Sequence, residues 1–101
     1  MSKTAIDKEN KVVPEQIKQV CNSLSELLLE KNKRYGNAAL QPIKIFNKTS
    51  ASDSIKTRLD DKLSRVKNSD SLRKNDIMDI MGYLVLLCIA EDWLDFSDLV
   101  D

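Results

Sequence analysis

The sequence predicts an all-α protein: a helical bundle of three main helices plus a short C-terminal helix, completed by oligomerisation. Three observations point there. Apolar residues recur at helical spacing over residues 14–34 and 51–68. A nearly unbroken apolar run, Ile80 to Ala90, follows two aspartates, Asp76 and Asp79. No stretch alternates apolar and polar residues as a strand does, and there is no internal repeat or low-complexity tract.

Taken in order, residues 1–12 are polar and without period, and read as a flexible lead-in to a single helical domain over 13–101. Pro14 stands where a first helical residue would, with Glu15 at the positive end of the dipole. Ile17, Val20, Cys21, Leu24, Leu27 and Leu28 then make an amphipathic helix from about 14 to 34, which Gly36 could cap. Lys31 and Tyr35 project in line with its apolar stripe, so a cation and a phenol continue a face where leucine is expected. Glu26 and Glu30 sit one turn apart on another face, a spacing that suits either a shared metal ion or pairing with nearby lysines.

Residues 36–50 hold Leu40, Pro42, Ile43, Ile45 and Phe46 without sustained period and read as an ordered loop folded back over the helices. Ser50-Ala51-Ser52-Asp53 has capping-box spacing, so a second helix is expected to run to about Asn68 with Ile55, Leu59, Leu63 and Val66 as its core stripe. Beside that stripe lie Arg58, Asp61, Lys62 and Arg65, a polar seam that can either pair internally or hold phosphate oxygens. Asn68 to Ser71 forms a turn that could cap the next helix. In that helix Asp76, Asp79 and Tyr83 share one stripe, and the apolar remainder is expected to be surrounded by other helices. Because three helices barely enclose such an element, a dimer or larger homo-oligomer is expected. The end of the chain mixes acids with Trp93, Phe96, Leu99 and Val100 and reads as a packing or subunit contact.

Composition excludes several classes of function. The 101 residues hold 16 Lys plus Arg, 16 Asp plus Glu and no His. Balanced charge argues against general attraction to nucleic acid, and the absence of His removes imidazole bases and imidazole metal ligands. Cys21 and Cys88 lie in apolar helical patterns and read as reduced core residues of an intracellular protein. The run from Ile80 to Ala90 is too short to span a bilayer and the first residues lack a signal-peptide core, so a cytoplasmic protein without a membrane partner is expected.

The acids carry the chemistry. A carboxylate entering an apolar helix must meet a cation, a metal or donors. Oxygen ligands suit Mg²⁺, which keeps waters and binds through one or two carboxylates plus substrate phosphates. Adjacent cations would balance a polyphosphate, and a carboxylate-activated or metal-bound water could attack phosphorus. The glycine-rich phosphate loop is missing.

The ordered set Lys31-Asn32-Lys33-Arg34-Tyr35-Gly36, then Arg58-Leu59-Asp60-Asp61-Lys62-Leu63-Ser64-Arg65, then Asp76-Ile77-Met78-Asp79-Ile80-Met81-Gly82-Tyr83 resembles the nucleotide modification associated domain proteins of phages and bacteria, themselves similar to the MazG-like all-α nucleoside triphosphate pyrophosphatases. The resemblance covers roughly residues 24–90 and implies a helical, oligomeric, Mg²⁺-dependent nucleotide-binding protein. In the MazG-like enzymes a glutamate pair and an E-x-x-D pair hold the metal, and a triphosphate is cut to monophosphate and pyrophosphate. Asp76 and Asp79 match the second pair, with Asp replacing Glu at its first position. The first pair is absent as E-x-x-E: Leu29 stands three residues after Glu26, and Ser64 three after Asp61. That departure bears on hydrolysis more than on binding.

The expected site therefore comprises Asp76, Asp79 and Asp61 with Glu26 or Glu30 for Mg²⁺, Asp61 and Asp79 as catalytic acids, Arg58, Lys62, Arg65 and Lys31 toward phosphates, Asn32 closing one end of the substrate site with Lys31 and Tyr35, and Tyr35 or Tyr83 toward base or sugar. The alternatives are a non-enzymatic phage accessory protein that sequesters a nucleotide signal or binds a host defence protein, and a bundle whose aspartates pair with Arg58 and Arg65.

Overall fold

The computed structural model describes residues 3–36, 40 and 49–100, with side chains from Val12 onward. Every regular element among them is helical: α1 Lys3–Tyr35, α2 Ala51–Asn68, α3 Lys74–Ala90 and a single 3₁₀ turn, Ser97–Leu99, in place of the expected short fourth helix. No helix of the described residues is long and apolar enough to cross a membrane. The chain divides into two compact units, Met1–Arg34 and Tyr35–Asp101.

In the first unit the helix expected to begin near residue 14 begins at Lys3, and Pro14 lies inside it. Proline suits a first turn; in an interior it removes one backbone hydrogen bond and its ring crowds the carbonyl four residues back, a cost of about 3 kcal/mol. The residues ahead of it include Ala5, Lys8, Glu9 and Lys11, all good helix formers, with no glycine or second proline to stop the helix. The far end stops at Gly36, whose φ of 64° is the left-handed conformation that ends helices. Ile17, Val20 and Leu29 are exposed, as are Lys31 and Tyr35, which were expected to extend a buried face. Cys21 is exposed and Cys88 half-buried; both are free thiols, so Cys21 is not the core residue its pattern suggested.

The second unit is an α2–α3 pair, the two helices packed against each other. The N-terminus of α2 forms where its capping spacing places it: Ser50, in extended conformation, accepts a hydrogen bond from the Asp53 backbone N–H at 3.1 Å. At its other end the Ser69 N–H reaches back to the Val66 carbonyl, and the Ser69 hydroxyl donates to the Ser71 carbonyl at 2.7 Å. The 68–71 turn thus closes α2 and does not cap α3, whose N-cap is Arg73 without a side-chain cap bond. The remainder of the 36–50 loop, Leu40 and residues 49–50 apart, lies outside the described residues.

The core of this unit centres on α2. Ile55 is fully buried and Leu59 nearly so, with Val66 half-buried on the same stripe. Leu63, expected as the fourth member, is 53% exposed, and Lys62 takes its inward place. Projection explains this: Lys62 lies about 40° from the mean direction of Ile55, Leu59 and Val66, and Leu63 about 60° away on the other side. Facing α2, the stripe of α3 carries Asp76, Asp79 and Tyr83, while Leu84, Val85 and Ile89 remain exposed, so α3 is not surrounded as its composition suggested.

Beyond α3 the chain turns sharply. Asp92 adopts φ 61°, the Asp92 N–H donates to the Ile89 carbonyl, and the Trp93 N–H donates to the Cys88 carbonyl at 2.7 Å. These two bonds make a Schellman motif with aspartate where glycine is usual. Asp95 then accepts from the Ser97 N–H at 2.9 Å and from the Ser97 hydroxyl at 3.0 Å, which starts the 3₁₀ turn and holds the Asp95 carboxyl below its ordinary value of 3.8.

Two outcomes follow from this packing. Ile55→Ala is expected to cost about 3 kcal/mol in urea denaturation, because it empties a fully buried site, whereas Leu63→Ala stays within about 0.5 kcal/mol. The lowered Asp95 acidity means its contribution is present above pH 3.8 and is lost as pH falls below that value through the folded-state pKa. The amide shift of Ser97 should report that titration, and an Asp95→Asn chain should not show it.

Candidate acidic site between the second and third helices

An α-helix carries residues three apart on one face, so Asp76 and Asp79 emerge from the start of α3 on the side that meets α2. Asp76 is buried, 7% exposed, and Asp79 is half-buried. Opposite them α2 presents Lys62. Its ammonium nitrogen Nζ lies 2.7 Å from Oδ2 of Asp79 and 3.8 Å from Oδ1 of Asp76, with the lysine side chain only 17% exposed. The requirement that a buried carboxylate find a cation is met by a lysine of the neighbouring helix. The expected alternatives, Arg58 and Arg65, do not fill that place, and both are exposed.

This triad has one positive and two negative charges in a partly desolvated place. Arginines stand close by: an open cleft at the junction of α2 and α3 is lined by Arg65, Ser69, Asp70, Ser71, Arg73 and Asp76. Asp76 belongs to both features. A cleft wall thus combines two guanidinium groups, each able to take a phosphate or carboxylate through paired N–H donors, with a carboxylate already engaged by Lys62.

The remaining expected residues are distributed otherwise. Asp61 is exposed on α2, and no ion pair joins it to Arg58 or Arg65 among the described residues. By projection it lies about 140° from the buried direction of α2, which is why it does not meet Asp76 and Asp79 on that face. Tyr83 is half-buried one turn beyond Asp79, and Tyr35 is 72% exposed. Glu26, Glu30, Lys31 and Asn32 belong to α1 in the first unit and are exposed there; Glu30 pairs with Arg34 Nε at 2.9 Å across one helical turn. Arg73 was absent from the expected set. Its signal was its position: a cation immediately ahead of α3 and three residues before Asp76.

Metal chemistry was tested against this donor set. Asp76 and Asp79 are oxygen ligands of the hard type Mg²⁺ prefers. Among the described residues no group of three acidic, cysteine or histidine side chains is placed to hold an ion, and Lys62 Nζ stands between the two carboxylates. The set therefore does not fit a resident ion as it stands.

Removing the lysine should be costly. Lys62→Met leaves Asp76 and Asp79 facing an apolar tip, and stability is expected to drop by about 2–4 kcal/mol in urea denaturation; Lys56→Met, on the exposed side of α2, should stay within about 0.5 kcal/mol. Equal small effects from both would show the triad to be energetically idle. Comparison of the chain with protein-family models, with curated proteins and with solved structures returns no match.

Proposed function

We propose that this chain is a MazG-like nucleotide-binding protein that takes a nucleoside triphosphate with Mg²⁺, and that pyrophosphohydrolysis is its reaction where it turns over. The observation that supports this reading is Asp76, shared between the Lys62 triad and a cleft walled by Arg65 and Arg73. A triphosphate would set its oxygens against those guanidinium groups, with Arg58 farther along α2. Mg²⁺ would come as the counter-ion of the phosphates, which supply most of its ligands, while Lys62 keeps Asp76 and Asp79 paired. Tyr83 would meet the sugar or base, and Asp79 would hold the attacking water; Asp61, on another face of α2, takes no part. Homo-oligomers and a cytoplasmic setting belong to the same proposal.

The test is a panel of nucleoside triphosphates, with and without Mg²⁺, read by melting temperature and by pyrophosphate release. A bound nucleotide at about 100 times its dissociation constant adds roughly 2.7 kcal/mol of stability. Arg65→Gln with Arg73→Gln should weaken binding by about tenfold or more, since a hydrogen bond to a charged group contributes about 1.5–3 kcal/mol. A shift without pyrophosphate identifies a binder that does not turn over, such as a protein that sequesters a nucleotide signal. No shift with any triphosphate sinks the proposal and leaves the triad as a structural ion pair.

A further inference from the structure

The chain's zero net charge conceals a sharp division. Residues 91–101 carry five acids, Glu91, Asp92, Asp95, Asp98 and Asp101, and no cation, whereas all 16 cations and the other 11 acids lie in residues 1–90. Within the second unit, residues 62–74 hold Lys62, Arg65, Lys67, Arg73 and Lys74 against the single acid Asp70. Of these cations only Lys62 is turned inward; the other four are exposed, beside Leu72 at 73% exposure.

The acidic segment is a shaped element. The Schellman turn at Asp92 and the Asp95 cap fix its course, and they leave Trp93, Leu94, Phe96, Leu99 and Val100 each more than half exposed. It departs from the C-terminal end of α3, whereas the basic turn sits at the N-terminal end, about 25 Å away along a 17-residue helix. Within one chain the two are held apart. Between two chains related by a two-fold axis, with their third helices antiparallel, each acidic segment comes to the other's basic turn. Leu84, Val85 and Ile89, exposed along α3 between the two ends, lie on the way. With Trp93, Leu94, Phe96, Leu99 and Val100 of the tail they make up most of the exposed large apolar residues of the second unit.

We propose that the C-terminal segment 91–100 docks on the basic turn 62–74 of a second copy of this chain. Trp93 and Phe96 pack against Leu72 and the arginine faces, and Glu91 and Asp98 pair with Lys67 and Arg73. This interface does not rest on nucleotide binding, and because both use Arg73 a bound triphosphate would compete with it, so its test is run without nucleotide.

Sedimentation of the full chain tests it, without nucleotide, at 50 and 500 mM NaCl. The expected result is a dimer whose dissociation constant rises at least tenfold at high salt, because exposed pairs are screened. Glu91→Lys with Asp98→Lys should give a monomer, and so should Lys67→Glu with Arg73→Glu. Mixing those two folded variants should restore one complementary contact and return a heterodimer. Three outcomes overturn the proposal: a monomer at all concentrations, a dimer indifferent to both salt and charge reversal, or two monomeric variants that fail to associate when mixed.

Discussion

Everything specific about the second unit depends on where two carboxylates of α3 go. Burying an ionised aspartate without a partner costs several kcal/mol, more than any one exposed contact in this small chain could offset. Lys62 meets both Asp76 and Asp79 from the opposite helix, at 3.8 and 2.7 Å. That contact sets the register of α2 against α3: a slip of one residue in either helix would bring Leu63 or Asp61 to the acids, one apolar and one of like charge. Ile55 and Leu59 supply the burial that holds the helices together, and the ion pairs select which way they meet.

The same contact governs what the acids can do. While Lys62 stands between them, Asp76 and Asp79 serve as one half of an ion pair. A ligand must offer the ammonium something better than two carboxylates before they become available. Arg65 and Arg73 line the adjoining cleft, so guanidinium groups stand beside the carboxylate that Lys62 engages. The lysine read from the sequence as a phosphate ligand is thus the group that keeps those two carboxylates paired. Residues 62–74, ahead of α3 and at its start, hold five cations against one acid, and residues 91–101 beyond its other end hold five acids and no cation.

How far the sequence could be read varied with how local the cause was. The span of α2 was legible to the residue, because the Ser50 to Asp53 spacing satisfies the first turn by itself and Val66 to Ser69 closes the last. Gly36 was legible as the end of α1 for a similar reason, a backbone conformation that most side chains resist. Pro14 misled, since its missing N–H suits a first turn but is tolerated deeper in a helix. The choice between Lys62 and Leu63 went to the leucine on composition, although angular projection slightly favours the lysine.

By itself the sequence determined that the chain is helical, where its second helix runs, and that Asp76, Asp79 and Tyr83 share one face, but not where the third helix begins. Those follow from hydrogen bonds and periodicity within a few residues of each other. Only the tertiary structure decided that the cation meeting those aspartates is Lys62, that Asp61 stands apart, and that Arg65 and Arg73 open a cleft beside Asp76. Each of these depends on the rotation of one helix against another, a quantity no local interaction specifies, because it is settled by the whole set of side chains that must be buried or paired together.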